Sequence, residues 1–255
     1  HNSMLMVGAI DAAQKCADRL QDEPRARWLA TLRKELTESL NVLWNPEARS
    51  YPDSIHEDGA ISDSTSQHTS FLALLYDIIP ETYAADALAN LLEPPDDMVR
   101  VGSPFAMMTF YEALDKVGRH EEIIQSIIDA YTPMLAAGAT TVWEVFPSSE
   151  DRPGGFPTRS HCHAWSSAPV LFLNRILLGI RPATPAGSLC EISPVLTGLR
   201  WAEGTVATAK GPVHVTYHIK DETLDLRVRA PQGMTVRYVE NETHRDLKVR
   251  FTVEA

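Results

Sequence analysis

Apolar side chains recur every three or four residues through the first 180 positions, which is the spacing of amphipathic helices. In the second such segment Asp22 is a suitable N-cap, Pro24 falls in the first turn, and Leu29, Leu32 and Leu36 follow on one face. Short gaps between segments favour antiparallel neighbours, as in helical hairpins. We expect about seven helices. The first lies near residues 5–20, the second begins after Asp22, and the third begins at about Thr65. The fourth and fifth lie at 81–93 and between 102 and 118. The sixth ends at Gly138, and the last lies at 160–178.

The spacing changes to two after Pro182. Val213, Val215, Tyr217 and Ile219 alternate with polar residues, and similar short segments follow up to residue 253. Turn residues separate these segments, and this arrangement indicates an antiparallel sheet or sandwich. The chain is therefore predicted to be an α+β protein with two domains, a helical one at 4–182 and a β-rich one at 188–255.

The net charge of the chain argues against two classes of binding partner. The formal net charge is −11, and no cluster of lysine and arginine offsets it. Such a surface repels phosphate backbones and anionic membranes, so we expect neither nucleic acid nor membrane as a partner. No apolar run reaches the roughly 18 residues of a membrane span.

Cysteine usage and the N-terminus bear on the compartment. Cys16, Cys162 and Cys190 are odd in number and widely spaced, unlike a disulfide framework or a metal-ligand set. The N-terminus lacks a charged stretch followed by an apolar core, so no signal peptide is recognised and a cytoplasmic location is expected. The segment His1-Asn2-Ser3 before Met4 resembles a tag remnant, and the natural protein is expected to extend further upstream.

A polar loop of more than twenty residues, 138–160, separates the last two predicted helices. Loops of this length in compact domains are usually functional or disordered. This loop contains Trp143, Glu144, Phe146 and Phe156. A carboxylate beside an indole, as in Trp143-Glu144, suits a sugar site. The ring can stack on a pyranose, and partial desolvation adjusts the pKa of the acid. The alternative is that Trp143 plugs the end of the domain and Glu144 makes a local cap or pair.

The predicted helix at 160–178 opens with His161, His163 and Trp165, which must lie next to the loop. Residues two apart on a helix point in different directions, and no further ligand completes a set, so we expect no metal site. Either the two histidines cap the helix and form hydrogen bonds in the core, or one of them donates to a substrate hydroxyl.

A third polar cluster, 51–68, runs into the start of a helix. Ser64 or Thr65 is a candidate cap, and Asp63 suits the helix dipole. Capping leaves Gln67 and His68 unexplained, and these two residues are candidates for lining a pocket.

Four segments together, in order and spacing, resemble the bacterial α-L-rhamnosidases. They are Thr65-Ser66-Gln67-His68, Gly102-Ser103-Pro104-Phe105, Gly138-Ala139-Thr140-Thr141-Val142-Trp143-Glu144 and Ser160-His161-Cys162-His163-Ala164-Trp165-Ser166. The resemblance implies a partial (α/α)6 barrel of the six-hairpin type, followed by a small antiparallel β-sandwich. It also implies hydrolysis of terminal α-L-rhamnose with inversion and without a cofactor.

The resemblance carries residue roles with it. Glu144 matches the family's general base, and His163 matches a histidine that the family uses at the sugar. We expect Trp143, Trp165, Gln67 and His68 to bind substrate as well.

The general acid of the family lies in the first half of its barrel, and no segment of this chain resembles that region. We therefore expect a rhamnose-containing glycoside as the substrate of the complete enzyme. We also expect either self-association or the N-terminal remainder of the enzyme as the partner that covers the open helix faces.

Two other functions remain open at this point. One is a non-catalytic sugar-binding or scaffold protein on the same fold, because fold does not determine function. The other is a different barrel glycosidase, such as an unsaturated-uronide hydrolase. That class should present basic residues to the substrate carboxylate, and the loops at the expected site contain only Arg152 and Arg159.

Overall fold

The computed structural model describes residues 1–147 and 160–254. Phe156, Arg152 and Arg159 therefore lie outside the described residues. Within those two ranges the chain forms seven α-helices, which confirms the number expected from apolar spacing. They are α1 (Asn2–Arg19), α2 (Glu23–Asn41), α3 (Gln67–Leu75), α4 (Glu81–Leu92), α5 (Met107–Lys116), α6 (His120–Ala136) and α7 (Ala168–Leu177).

The first two helices pack as the sequence predicts. The Asp22 side chain accepts a hydrogen bond from the Arg25 N–H at 3.2 Å, and Pro24 stands in the first turn of α2. Ile10 and Ala17 of α1 are buried against Leu29 of α2. Burial of this apolar stripe holds the pair together, because helices of this length are marginal alone in water.

Helix α3 lies in the middle of its neighbours. Almost all of its residues are buried, and it contacts α4 and α5, with the rings of Phe71 and Phe110 edge to face at 6.1 Å. Its N-terminus is tied to the segment around Val99, because the Gln67 N–H donates to the Val99 carbonyl and the Val99 N–H donates to the Thr65 carbonyl. This tie places residues 99–103 beside the start of α3.

The last helix begins later than expected. Residues 160–163 are not helical, a single 3-10 turn covers Ala164–Ser166, and α7 starts at Ala168 with Pro169 in its first turn. The reason is a competing set of backbone hydrogen bonds. The Glu144 N–H donates to the Ser160 carbonyl and the His163 N–H donates to the Val142 carbonyl, both at 3.0 Å. The prediction that the histidines open a helix is therefore wrong.

Seven strands follow in the described C-terminal part. They are β1 (Ile180–Pro182), β2 (Leu189–Ile192), β3 (Trp201–Thr208), β4 (Gly211–Lys220), β5 (Thr223–Arg229), β6 (Thr235–Tyr238) and β7 (Lys248–Glu254). They form one sheet in the order β1-β2-β6 and another in the order β3-β4-β5-β7. Side chains from both sheets share one apolar core. The helical domain followed by a strand-rich domain is the fold class that the sequence predicts.

Strand pairing is mixed, whereas we expected a purely antiparallel sandwich. β2 pairs with β6 and β5 pairs with β7 in parallel, and the other pairs are antiparallel. The cause is the path of the chain: after β5 it crosses to the other sheet as β6 and then returns beside β5 as β7. Asp221 and Glu222 form the tip of the β4–β5 hairpin, and both residues have the positive φ angles of a tight hairpin turn.

Contacts within the chain define two compact units, His1–Glu122 with Asp129–Ser166, and Ile123–Ile128 with Ser167–Ala255. Helix α7 thus belongs with the strands in this division. The division into domains at 4–182 and 188–255 stays a prediction.

The turn between α7 and β1 depends on Gly179. Its φ is +67°, and a Cβ built there would lie 2.1 Å from backbone atoms of Ser193 and Pro194. Gly198, in the same unit, also has a positive φ of +82°, but no atom lies within 4 Å of its Cβ position. Alanine substitution at Gly179 and at Gly198 therefore separates the cost of backbone strain from the cost of steric overlap.

We predict that Gly198→Ala costs about 1–2 kcal/mol, since only the left-handed backbone is penalised. Gly179→Ala should cost about 1–3 kcal/mol more, because rigid main-chain atoms must also shift. Urea unfolding followed by circular dichroism measures both variants. Equal loss of stability in the two would contradict the close approach at Gly179.

Candidate active site

The site is built around Glu144, whose backbone is held on both sides. Its N–H donates to the Ser160 carbonyl at 3.0 Å, and its carbonyl accepts a hydrogen bond from the Ser103 hydroxyl at 2.8 Å. The residue is half-buried. In the described part of the chain, its carboxylate has no hydrogen-bond or ion-pair partner. A carboxylate without a partner, on a backbone that is held in position, is free to accept a proton from a bound molecule.

Trp143, the residue before Glu144, is buried. Its side chain is only 6% exposed, and its ring stacks on that of His161 with centroids 4.6 Å apart and an interplanar angle of 19°. The Thr141 hydroxyl also bonds the His161 carbonyl. With so little of its surface exposed, the indole packs within the segment that presents Glu144, and with His161 it lines a cavity of about 370 Å³. Sequence reasoning named His161 but missed that it packs on Trp143.

The open aromatic surface lies elsewhere in the same unit. Trp165 and Phe105 are 69% and 53% exposed, with ring centroids 5.2 Å apart. His163 stands edge to face with Trp165 at 6.0 Å. We call these three residues the aromatic patch. Sequence reasoning missed Phe105 as a site residue, although its place in the Gly-Ser-Pro-Phe segment was a usable signal.

Ser103 connects the patch to Glu144. Its hydroxyl donates to the Glu144 carbonyl and accepts from the Phe105 N–H, capping the 3-10 turn Pro104–Ala106. That turn contacts the 3-10 turn Ala164–Ser166, which contains Trp165. One hydroxyl thus ties the backbone of Glu144 to the aromatic patch.

Gln67 is buried and its amide is committed to the fold. The side-chain N–H2 donates to the Leu91 carbonyl at 3.0 Å, and the side-chain oxygen accepts from the Val101 N–H at 2.9 Å. The amide therefore faces the backbone of its neighbours instead of an open cavity. Its effect is to hold segment 99–103, at the end of which Ser103 bonds Glu144.

His68 is partly buried beside Phe71, at a ring distance of 5.2 Å. Burial lowers the pKa of His68, and the nearby Asp53 carboxylate offsets this only in part. The imidazole is therefore neutral at pH 7, with one nitrogen able to donate and the other able to accept. The helix N-cap is Ser66 rather than Ser64 or Thr65, and its hydroxyl donates to Asp53 at 2.7 Å instead of capping α3.

Metal sites, disulfide bonds and membrane-spanning helices are absent from residues 1–147 and 160–254. No group of three or more His, Cys, Asp or Glu is placed to hold a metal ion there. All three cysteines are free in this structure, with Cys190 buried. No described helix has the length and apolar character needed to cross a bilayer.

Comparison with known families decides what this geometry belongs to. Residues 2–177 match the bacterial alpha-L-rhamnosidase 6 hairpin glycosidase domain, and residues 179–251 match the bacterial alpha-L-rhamnosidase C-terminal domain. The chain belongs to the bacterial α-L-rhamnosidase family. The resemblance noted in the sequence is thereby confirmed.

Relatives show the same assignment and its extent. An α-L-rhamnosidase of Formosa agariphila is 26% identical over 230 residues, which is 85% of this chain and 25% of that protein. An α-L-rhamnosidase of Alteromonas sp. is 27% identical over 191 residues, 70% of this chain and 20% of that protein. The chain thus spans a fifth to a quarter of these relatives.

Among solved structures, the GH78 family rhamnosidase of Bacillus sp. GL1 superposes with a TM-score of 0.90 at 34% identity. The superposition covers 98% of this chain and 26% of that one. Nearly every described element here therefore has a counterpart in a larger rhamnosidase.

We predict that Ser103→Ala loosens the Glu144 loop. Loss of a hydrogen bond worth about 1 kcal/mol should speed amide exchange in residues 141–146 by roughly fivefold. Hydrogen–deuterium exchange with mass spectrometry measures this. Ser39→Ala is the matched control, because the Ser39 hydroxyl also donates to a main-chain carbonyl at 2.8 Å, in α2. Unchanged exchange in Ser103→Ala would show that the hydroxyl does not hold the loop.

Proposed function

We propose that this chain is the C-terminal part of the catalytic unit of an inverting α-L-rhamnosidase, and that Glu144 is its general base. The proposal rests on how Glu144 is held in a chain that belongs to this family. Its backbone is fixed by Ser160 and Ser103, while its half-buried carboxylate has no partner among the described residues.

The chemistry requires two carboxyl groups on opposite sides of the glycosidic bond. One protonates the leaving oxygen while the other removes a proton from the attacking water, and they stand about 6.5–9.5 Å apart so that the water fits between. Glu144 would take the second role: as the water oxygen bonds the anomeric carbon, the carboxylate accepts the proton that the water loses. Firm positioning matters, since the water must be oriented at the moment of attack.

The aromatic patch suits the binding of a deoxy sugar. Trp165 and Phe105 offer exposed rings for the C–H face and methyl group of rhamnose, and a ring nitrogen of His163 can bond a hydroxyl. His68, neutral at pH 7, is a further hydrogen-bonding group. Trp143 and Gln67 would act indirectly, by supporting the loop and the segment that position Glu144.

The general acid is proposed to come from the rest of the longer protein. Within this chain Asp53 already accepts hydrogen bonds from the hydroxyls of Ser64 and Ser66, so it links two parts of the 51–68 segment. The chain spans only a quarter of its relatives, which leaves room for the acid elsewhere. A cytoplasmic location is also proposed, on the ground of the free cysteines, and cell fractionation would check it.

In the complete enzyme, Glu144→Gln should lower kcat by roughly 10²–10⁴-fold, the usual contribution of a positioned base, with little change in KM. Hydrolysis of an aryl α-L-rhamnoside measures both constants. Glu57→Gln is the control, because Glu57 is an exposed loop residue in the same unit. Retention of most of the kcat would remove Glu144 from the mechanism and favour a non-catalytic role for this part of the fold.

We predict that the 255-residue chain alone gives no appreciable turnover. Without an acid the leaving oxygen is not protonated as water attacks, and several kcal/mol of barrier reduction are lost. The exposed apolar side chains of Leu5, Met6, Phe105 and Trp165 should also drive self-association. Light scattering and the same assay test both points. A 28.3 kDa monomer with ordinary turnover would place the acid within this sequence.

A further inference from the structure

The outward face of the four-stranded sheet carries a row of side chains that the rhamnosidase chemistry does not use. The strand register aligns Trp201 with His218, His218 with Asp225, and Asp225 with Arg250. Neighbouring strands lie about 4.8 Å apart, so the row is about 14 Å long. That length is enough for a short oligosaccharide.

One end of the row is a flat aromatic surface. Trp201 is 61% exposed, and its ring lies nearly parallel to that of His218, with an interplanar angle of 17° and centroids 6.3 Å apart. The inward residues Val213, Val215 and Tyr217 of β4 are fully buried, so the two rings stand on the solvent side of the sheet. An exposed indole with a parallel imidazole offers a face on which the C–H groups of a pyranose can stack.

The other end of the row is cationic. Asp225 accepts hydrogen bonds from Arg227 at 3.1 Å and from Arg250 at 3.2 Å. The hydrogen bond from Arg227, helped by that from Arg250, holds the pKa of the Asp225 carboxyl below its ordinary value. Lys220 and Asp221 also line this end of the row. Three cationic side chains therefore face two carboxylates, and one positive charge is left over.

His218 and the charged groups line a groove of about 560 Å³ on the sheet face, and Trp201 lies next to it against His218. Thr216 and Thr223 add hydroxyl groups to its wall. Both arginines are more than half exposed, so their remaining N–H groups reach solvent in the groove. The groove therefore combines a stacking surface, hydroxyl partners and excess positive charge.

We propose that this groove is a binding site for an acidic saccharide, in which a sugar ring stacks on Trp201 and His218 and a uronate carboxylate binds Arg250 and Lys220. The Asp225 carboxylate, held between the arginines, accepts hydrogen bonds from sugar hydroxyls. Arginine forks are well suited to bind carboxylates in this way.

Charge and shape select this class of ligand over others. A long polyanion such as nucleic acid is repelled by the net charge of −11 on the whole chain. A free phosphate ion makes no use of the aromatic surface. A neutral sugar leaves the excess positive charge of the groove unpaired.

Isothermal titration calorimetry of the 255-residue chain with trigalacturonate and with neutral maltotriose tests the proposal. Trigalacturonate should bind with a Kd of about 1 mM or lower, at least about tenfold tighter than maltotriose, and more weakly at high salt. Trp201→Ala should raise the Kd about tenfold. Arg250→Gln should weaken trigalacturonate selectively, because Arg227 still holds Asp225.

The matched control is Trp28→Ala, since Trp28 is also 61% exposed but lies on α2. It should leave the affinity unchanged. Binding of the two trisaccharides with equal affinity would overturn the proposal, and so would no detectable heat with trigalacturonate at 10-fold above the expected Kd (about 10 mM). An equal effect of Trp28→Ala and Trp201→Ala would also overturn it, by placing the ligand elsewhere.

Discussion

The backbone pairing between residues 142–144 and residues 160–163 is the constraint on which the candidate active site depends. Two hydrogen bonds of 3.0 Å hold the two segments together, although the loop between them is long. The pairing decides that Glu144 and His163 approach one another from different parts of the chain. It also disfavours a helix that starts at Ser160, because the Ser160 carbonyl, which would accept the first intrahelical hydrogen bond, accepts from the Glu144 N–H instead. The site is thus formed by backbone hydrogen bonds between two non-helical segments of a helical unit.

A second layer of support comes from buried polar groups. Gln67 satisfies backbone groups at both ends of its amide, and Ser103, two residues beyond Val101, completes the link to Glu144. Each such hydrogen bond adds only about 1 kcal/mol, but a buried amide left without partners costs about 1–3 kcal/mol. This asymmetry favours one arrangement of segment 99–103 over its alternatives. Polar burial here contributes uniqueness of geometry more than stability.

In the strand-rich unit, one face of the four-stranded sheet packs into the core and the other face carries the proposed binding groove. Alternate residues of β4 and β5 fill the core, where Tyr217, Leu224 and Leu226 are fully buried. The residues between them point to solvent and form the row from Trp201 to Arg250. Because strand side chains alternate strictly, the outward face can vary in chemistry while the core stays the same. This independence allows a stabilising domain to carry a binding surface.

The sequence by itself determined the elements that depend on local spacing. Helical periodicity, the Asp22 cap and the alternation in Val213 and Val215 predicted the helices and strands, since each reflects which side of one element is buried. The segment around Glu144 also marked the family. Tertiary structure alone decided the late start of α7, the parallel pairing of β5 with β7, and the burial of Trp143 against His161. Those features arise from contacts between residues far apart in the chain, and neither propensity nor periodicity encodes which distant segment will supply a hydrogen-bond partner.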